Sequence, residues 1–352
     1  MSMLSLDLIW QRDVTRPRYR HADGTIHSFT RRKPREYGWI CALLDGFALR
    51  HHADDRFEET APTPLVVLEG DAYDTDQVRC YLRRLATDER SVGLLHIGDE
   101  FRRADLSIYD DAAFVYRNYW RPTMQAYPQC RYLPLGVNCP LDLFSQMPFP
   151  DRTYRWSFAG QRKGPRQQMI ETIAGQSDGY LLVNDDFNSG LSKETYAQLL
   201  ADTKVVLCPR GFAATESYRV YEALEAGAIP LVEDDGGTDL WREHMGLSST
   251  WRALKGGPTY WYDLARRSRR PSYWQSAYEP DFPCPRIYRW ENVRDVLDRL
   301  DLASLAEQVG QWWTAYKSAL RRRIAADARR SYEAAHPTRP PLNERPPAPP
   351  AP

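Results

Sequence analysis

Short apolar runs alternate with amphipathic stretches along the chain, and this alternation predicts an α/β protein. In the first part, strands are predicted at residues 4–10, 65–69, 92–97, 113–116 and 131–137, and helices at residues 39–49 and 75–86. In the second part, strands at residues 154–159, 180–183, 205–207 and 228–232 alternate with helices at residues 165–173 and 196–200 and with one from Ser217. Two helical patterns follow, at residues 291–300 and 302–334.

The chain is long enough for two domains of ordinary size, at 352 residues. A proline-containing polar segment near residues 147–152 is typical of a linker between them. We therefore predict one α/β domain over residues 1–150 and a second over residues 151–334. Residues 335–352 are rich in proline, which predicts an extended tail that builds no core.

The segment from Cys208 to Asp234 has the pattern of a loop, a helix and a strand that follow a buried strand. Ser217 can cap the helix through its hydroxyl, and Gly227 is typical of a helix end. Because open α/β sheets bind ligands at the carboxyl ends of their strands, Arg210, Gly211, Ser217 and the N–H groups of the helix start should meet there. This combination of a cation, a hydroxyl and backbone N–H donors suits a phosphate or diphosphate ligand.

Glu222 lies one turn into that helix and has two interpretations. Its carboxylate could accept hydrogen bonds from the cis-diol of a ribose. It could equally pair with Arg219 on a solvated helix face, where such a pair contributes about 0.2–0.5 kcal/mol. The spacing alone does not choose between them.

A second basic loop follows the first predicted strand of the second domain. It contains Gly160, Arg162 and Lys163, and glycine flexibility with two cations suits contact with a diphosphate. The alternative is an exposed basic turn. Arg166 on the next helix is a weaker candidate of the same kind.

The segment from Cys208 to Asp234 resembles the donor-binding region of exostosin-type glycosyltransferases. The matching motifs are Cys208-Pro209-Arg210-Gly211, Ser217-Tyr218-Arg219, Glu222-Ala223 and Gly227-Ala228-Ile229-Pro230-Leu231-Val232. This resemblance implies a GT-B fold, in which two Rossmann-like domains face an interdomain cleft and C-terminal helices cross back. It also implies a nucleoside diphosphate sugar, with UDP favoured, and inversion at the anomeric carbon without a metal or other cofactor. The diphosphate would then contact the Ser217-Tyr218-Arg219 motif.

A second, shorter similarity lies in the first domain. The segments His96-Ile97-Gly98-Asp99-Glu100, Tyr116-Arg117-Asn118-Tyr119-Trp120 and Leu133-Pro134-Leu135-Gly136 resemble the ribitol xylosyltransferase branch of that group. The acceptor would then be a glycan or a polyol phosphate, with anionic and lipid-linked acceptors included.

Inversion in one displacement requires a base on the acceptor side. Asp99 and Glu100 follow a predicted strand, so either could project into the cleft as that base. Alternatively, Asp99 caps the next turn and Glu100 pairs with a nearby arginine. His96 and Arg117 are the acceptor-binding candidates, and both could instead support strand ends.

Composition excludes several other classes. The 47 basic and 47 acidic residues cancel, which argues against bulk nucleic-acid binding. The six cysteines form no zinc-type cluster, and no run approaches the roughly 20 apolar residues of a membrane span. We therefore expect a cytoplasmic protein, including the inner face of the membrane as a location. A non-catalytic nucleotide-sugar or glycan-binding module, a fucosyltransferase-like enzyme and a nucleotide-sugar epimerase are the alternative functions.

Overall fold

The computed structural model describes most of the chain, with gaps. The described residues are 4–11, 34–54, 56–58, 61–71, 73–86, 92–162, 166–184, 190–211, 213–234, 272–278 and 282–335. The predicted site residue Lys163 and the predicted tail after residue 335 lie outside them.

The first domain is built on a six-stranded parallel sheet. Its strands are β1 (Leu4–Trp10), β2 (Phe47–Ala53), β3 (Pro64–Glu69), β4 (Gly93–Ile97), β5 (Phe114–Arg117) and β6 (Cys130–Tyr132). The strand order is β2-β1-β3-β4-β5-β6, and every pair is parallel. Helices α1 (Tyr37–Leu43) and α2 (Thr75–Leu85) connect the strands, together with 3-10 turns at Leu106–Asp111 and Pro122–Ala126.

The second domain is built on a five-stranded parallel sheet. Its strands are β7 (Tyr154–Gln161), β8 (Gly179–Asn184), β9 (Thr203–Cys208), β10 (Ile229–Glu233) and β11 (Arg286–Ile287), in the order β11-β10-β9-β7-β8. The helices are α3 (Arg166–Ile173), α4 (Lys193–Ala201), α5 (Tyr218–Glu225), α6 (Tyr273–Tyr278), α7 (Val293–Arg299) and α8 (Leu302–Ala335). Short 3-10 turns occur at Leu141–Leu143, Phe149–Asp151 and Trp290–Asn292.

The predicted helix over residues 39–49 is only partly correct. Helix α1 ends at Leu43, and Gly46 takes a φ of 105°, a conformation that favours glycine. From Phe47 the chain forms β2, which pairs with β1 along its full length. This edge strand was missed because its polar residues, Arg50 among them, obscure the apolar pattern of a buried strand.

Helix α8 crosses from the second domain back to the first. Near its start, the indole Nε1 of Trp313 donates to Glu225 of α5 at 3.0 Å. Further along, Asp327 accepts a hydrogen bond from the hydroxyl of Tyr116 in β5 at 2.7 Å. Two parallel sheets and a returning C-terminal helix confirm the predicted two-domain GT-B architecture.

Candidate active site

The carboxyl ends of the two sheets face each other. Glu100, which follows β4, accepts a hydrogen bond at 2.9 Å from the backbone N–H of Ala213, which follows β9. In the second sheet the strand order reverses between β7 and β9, because β8 lies on one side and β10 on the other. Ligands of open α/β sheets bind at such a reversal, outside the carboxyl ends of the strands. We refer to this place, lined by the loops after β7 and β9, as the crevice.

Arg219 on the first turn of α5 reaches across the crevice to β7. Its Nη2 donates to the carbonyl of Ala159 at 2.9 Å, and its guanidinium lies over the ring of Phe158 at 4.8 Å from the ring centroid. The Nε atom of Arg219 is buried and has no hydrogen-bond partner among the described residues. This side chain is therefore fixed in place with one donor unused.

Arg166 at the start of α3 lies on the other side of the same crevice. Its Nη2 donates to the carbonyl of Arg210, just after β9, at 3.1 Å. Burial and the positive charge of Arg219 lower the pKa of Arg166 to about 10, so the side chain stays cationic at neutral pH. Within the described chain, neither Arg166 nor Arg219 forms an ion pair with a carboxylate. The crevice therefore holds two close positive charges without an ion-pair partner among the described residues, and the carboxylates of Glu233 and Glu100 act on Arg166 only at longer range.

Ser217 is the residue before α5, as predicted, but its hydroxyl does not cap the helix. The Oγ atom is buried and lacks a hydrogen-bond partner among the residues that the structure describes. The helix end is as predicted: Gly227 takes a φ of 68° and closes α5. Ser217 therefore takes the predicted position before the helix but does not make the predicted capping hydrogen bond. Its unused hydroxyl lies beside the N–H groups of α5 in the crevice.

The glycines of the two loops are required by close packing. A Cβ on Gly211 would lie 2.6 Å from the carbonyl oxygen of Glu216, and a Cβ on Gly160 would lie 2.6 Å from Nη2 of Arg219. Gly160 is part of β7 rather than of a flexible loop, which corrects the prediction. It makes room for Arg219. The exposed Arg162 follows directly after that strand.

Tyr218 and Glu222 both connect α5 to the first domain and its linker. The hydroxyl of Tyr218 donates to buried Glu36 at 2.6 Å. Glu222 is only 5% exposed, and it accepts a hydrogen bond from the N–H of Asn138 at 3.2 Å. Burial raises the pKa of Glu222, and Arg219 opposes that effect. The solvated pair between Arg219 and Glu222 is therefore wrong, whereas the ribose contact stays a prediction.

Asp99 does not project into the cleft. Its carboxylate, 2% exposed, pairs with the guanidinium of Arg117 and accepts hydrogen bonds from the N–H groups of Arg103 and Ala104 at 2.9 and 3.2 Å. Burial raises the pKa of Asp99, but Arg117 and the other donors overcome this, and the net shift is downward. The structure thus contradicts the role of Asp99 as a base: it caps the loop after β4.

Arg117 and His96 are buried beside Asp99, and neither is exposed at all. Arg117 donates to the hydroxyl of Tyr109 at 2.9 Å, and that hydroxyl lies 2.8 Å from Nδ1 of His96. The Nε2–H of His96 donates to the carbonyl of Gly70 at 2.8 Å. Burial, together with the charge of Arg117, lowers the pKa of His96 to about 3, so its ring is neutral. Both residues support strand ends, and the prediction that they contact the acceptor is wrong.

Glu100 differs from its neighbour because it is only partly buried and faces the second domain. Its Oε1 accepts from Ala213 and lies 3.2 Å from where a Cβ on Gly211 would be. Two residues after Glu100, Arg102 has a left-handed backbone with a φ of 56°. Strain of this kind costs about 1–3 kcal/mol and is found preferentially at functional sites. The loop after β4 therefore holds Glu100 against the loop after β9.

Residues 147–256 match the family model described as the RXYLT1 C-terminal domain. The match covers about a third of the chain, most of it in the second domain, and shows that this part of the chain is similar to the RXYLT1 C-terminal domain. A solved structure titled "Crystal Structure of alpha1,3-Fucosyltransferase" is similar at 10% sequence identity and a TM-score of 0.36, covering 65% of this chain and 69% of that one. No curated protein matches the sequence.

Two important residues at the contact between the domains were missed by sequence reasoning. Glu36 contacts the first residue of α5, although it precedes α1 and carries no motif. Glu216 is 1% exposed and bonds to both domains. No spacing in the sequence signals either one, because their partners lie far away along the chain.

Neither a metal-binding cluster nor a membrane-spanning helix occurs among the described residues. No group of three or more histidine, cysteine, aspartate or glutamate side chains there is arranged to hold a metal ion. Likewise, none of the helices within the described ranges is both long and apolar enough to span a membrane.

Proposed function

We propose that the protein transfers a sugar from a nucleoside diphosphate sugar, with UDP-sugars as the leading donors, to a glycan or polyol phosphate. The observation that carries this proposal is the pair of arginines in the crevice, Arg166 and Arg219, which have no ion-pair partner among the described residues and lie beside the unused hydroxyl of Ser217. A diphosphate supplies the negative charge and the hydrogen-bond acceptors that these groups lack.

The reaction proposed is a single displacement with inversion. The acceptor hydroxyl attacks the anomeric carbon, the bond from that carbon to the diphosphate oxygen breaks, and the leaving group takes up the electron pair as negative charge. Arg166, Arg219 and the N–H groups of α5 offset this charge, which is strongest in the transition state. Arg162, Arg210 and Lys163 are further cations of the same loops.

Glu100 is the proposed base, and it takes the proton that the acceptor hydroxyl loses. Of the two carboxylates after β4, it alone faces the crevice, because Asp99 is buried in its ion pair with Arg117. Its contact with Ala213 places it beside the loop that would hold the diphosphate. A base in this position meets the geometric requirement for general base catalysis.

The mechanism requires no cofactor. The charges that a divalent cation would otherwise supply come from the two arginines and the start of α5. Activity should therefore persist in the presence of a chelator. Glu222 is proposed to bind the ribose, and a Glu222→Gln variant should lose the preference of the wild type for ribose over 2′-deoxyribose nucleotides.

The decisive experiment is a thermal-shift screen against uridine, guanosine, cytidine and adenosine diphosphate sugars, followed by transfer assays with the donors that bind. A ligand that binds the folded state at 100 times its Kd stabilises it by about 2.7 kcal/mol. We expect a uridine diphosphate sugar to give the largest shift. Failure of every donor would contradict the proposal. Binding without turnover on any acceptor would indicate a binding module, and conversion of the donor alone into an isomer would indicate an epimerase.

A further inference from the structure

Glu216 lies at the contact between the two domains, and both of its carboxylate oxygens are occupied. From the first domain, Oε1 accepts hydrogen bonds from the hydroxyl of Tyr132 at 2.6 Å and from the N–H of Leu135 at 2.8 Å, and Oε2 accepts from the N–H of Tyr119 at 3.1 Å. From the second domain, the hydroxyl of Tyr273 donates to Oε2 at 2.7 Å. Tyr221 of α5 donates to Oε1 as well.

This arrangement is unusual for a carboxylate that is only 1% exposed. No arginine or lysine pairs with Glu216 in the described part of the chain, so neutral donors alone stabilise its oxygens. Three of these five hydrogen bonds, from Tyr132, Leu135 and Tyr119, cross between the domains and connect them.

The position of Glu216 in the chain gives this connection a consequence. It is the last residue before Ser217, in the loop of residues 209–217 that joins β9 to α5. Tyr119, its partner across the interface, follows β5 and has a left-handed backbone with a φ of 54°. The same loop contacts Glu100 through Ala213. Glu216 thus fixes the loop of the crevice relative to the ends of β5 and β6, at the same edge of the first sheet where Glu100 follows β4.

We propose that Glu216 is a positioning residue that holds the β9–α5 loop against the carboxyl ends of β5 and β6, so that the reaction takes place in a preformed cleft between the domains. The catalytic part of this proposal rests on the function proposed above. Glu216 itself need not touch either substrate. It sets the distance between the base and the diphosphate site.

The connection itself can be measured without any substrate, by amide hydrogen exchange. The N–H groups of Tyr119 and Leu135 should be protected in the wild type because both donate to Glu216. In Glu216→Gln one carboxylate oxygen becomes an NH₂ group that cannot accept a hydrogen bond. We therefore expect exchange to accelerate roughly tenfold or more at the N–H of Tyr119 or of Leu135, whichever loses its acceptor. Unchanged exchange in a folded variant would overturn the proposal.

A pair of tyrosine variants provides the matched control, and it also decides the question should Glu216→Gln not fold. Tyr132→Phe removes a hydroxyl that bonds to Glu216 across the interface. Tyr278→Phe removes a hydroxyl from the same buried cluster that contacts Tyr221 and Tyr132 but not Glu216. We expect faster exchange at Leu135 in the first variant only. Equal effects of the two variants would contradict a specific role for Glu216.

Kinetics then separate positioning from general stability. Donor contacts within the second domain remain, so the donor Kd of Glu216→Gln should stay within about threefold, while kcat per folded molecule falls about 100-fold, the typical result of misplacing reacting groups. Unchanged kcat with accelerated exchange would overturn the catalytic part. If the wild type binds no nucleotide sugar, the proposed function fails, whereas the exchange experiment still tests the connection.

Discussion

The loop after β4 and the loop after β9 end at the same cleft, yet they differ in how their charges are balanced. After β4, Asp99 and Arg117 form an ion pair that is buried among hydrogen bonds. Around the loop after β9, the cations Arg166 of α3 and Arg219 of α5 have carbonyl contacts but no ion-pair partner within the described residues. The first arrangement is complete without a ligand, and the second is not.

The difference follows from the cost of burying charge. A buried ion needs a partner or several strong hydrogen bonds, and the effective penalty without them is several kcal/mol. Asp99 meets this requirement with protein groups alone, so it supports the loop. Arg166 and Arg219 meet this requirement only in part, as expected for a site that binds an anion. Charge balance therefore distinguishes scaffold from site better than the identity of the residues does.

Replacing Glu100 should have the largest effect on activity. Glu100→Gln keeps an acceptor for the N–H of Ala213 but removes the base, so kcat should fall by about 10²–10⁴-fold, the usual contribution of general base catalysis. Transfer rates at saturating donor and acceptor measure this. Asp105→Asn, at an exposed position of the same loop, should keep wild-type rates. A Glu100→Gln variant with full turnover would show that the base lies elsewhere.

Asp99→Asn should reduce stability rather than the chemical step. The substitution leaves the guanidinium of Arg117 buried without its counter-charge, and breaking a buried pair in this way costs about 3–5 kcal/mol. Urea unfolding measures the loss. The control is Asp111→Asn, whose arginine partners Arg79 and Arg83 are partly exposed, so that the loss there should be about 1 kcal/mol or less. Equal losses would mean that burial does not make the pair of Asp99 and Arg117 costlier to break than an exposed one.

Arg219→Gln should weaken the donor site without unfolding the domain. A hydrogen bond to a charged group contributes about 1.5–3 kcal/mol, so the variant should lose roughly 10- to 150-fold in kcat/KM for the donor. Because the variant also removes positive charge beside Arg166, the stability of the free protein should not fall by a similar amount. Calorimetric titration with a nucleoside diphosphate and thermal unfolding separate the two. A large stability loss with unchanged donor affinity would identify Arg219 as scaffold.

Local sequence patterns were sufficient to predict most elements of the fold. The strand at residues 205–207, the helix start at Ser217 and its end at Gly227 depend on neighbouring residues, and the structure confirms all three. The presence of a basic crevice at the end of the second sheet followed from the same patterns. These features are set by contacts close along the chain.

Burial and hydrogen-bond partners could not be predicted in the same way. Asp99 and Glu100 are adjacent and chemically alike, but only the fold shows that Asp99 faces Arg117 and Glu100 faces Ala213, 113 residues further along. Glu216 was missed for the same reason, since its bond to Tyr119 spans 97 residues. Arg166 was underrated because nothing in the sequence places it beside Arg219.

The smallest expected effect concerns His96, the neutral member of the buried network after β4. Its pKa is about 3 in the fold and 6.5 for an ordinary histidine, because burial and Arg117 disfavour the charged ring. The unfolded chain therefore binds more protons between these values, and stability must fall as pH falls through 6.5. From pH 7 to pH 5.5, His96 should account for about 1 kcal/mol of lost unfolding free energy.

The measurement is an NMR titration of the His96 ring, assigned by its loss in His96→Asn. We expect a neutral ring down to pH 5, with Nε2 protonated towards Gly70, since a carbonyl can only accept. A ring that titrates near 6.5 would show that the network is open to water, and the contrast between the two loops would then disappear. If the ring stays neutral, any loss of transfer activity between pH 7 and pH 5 that persists in folded protein cannot arise from His96.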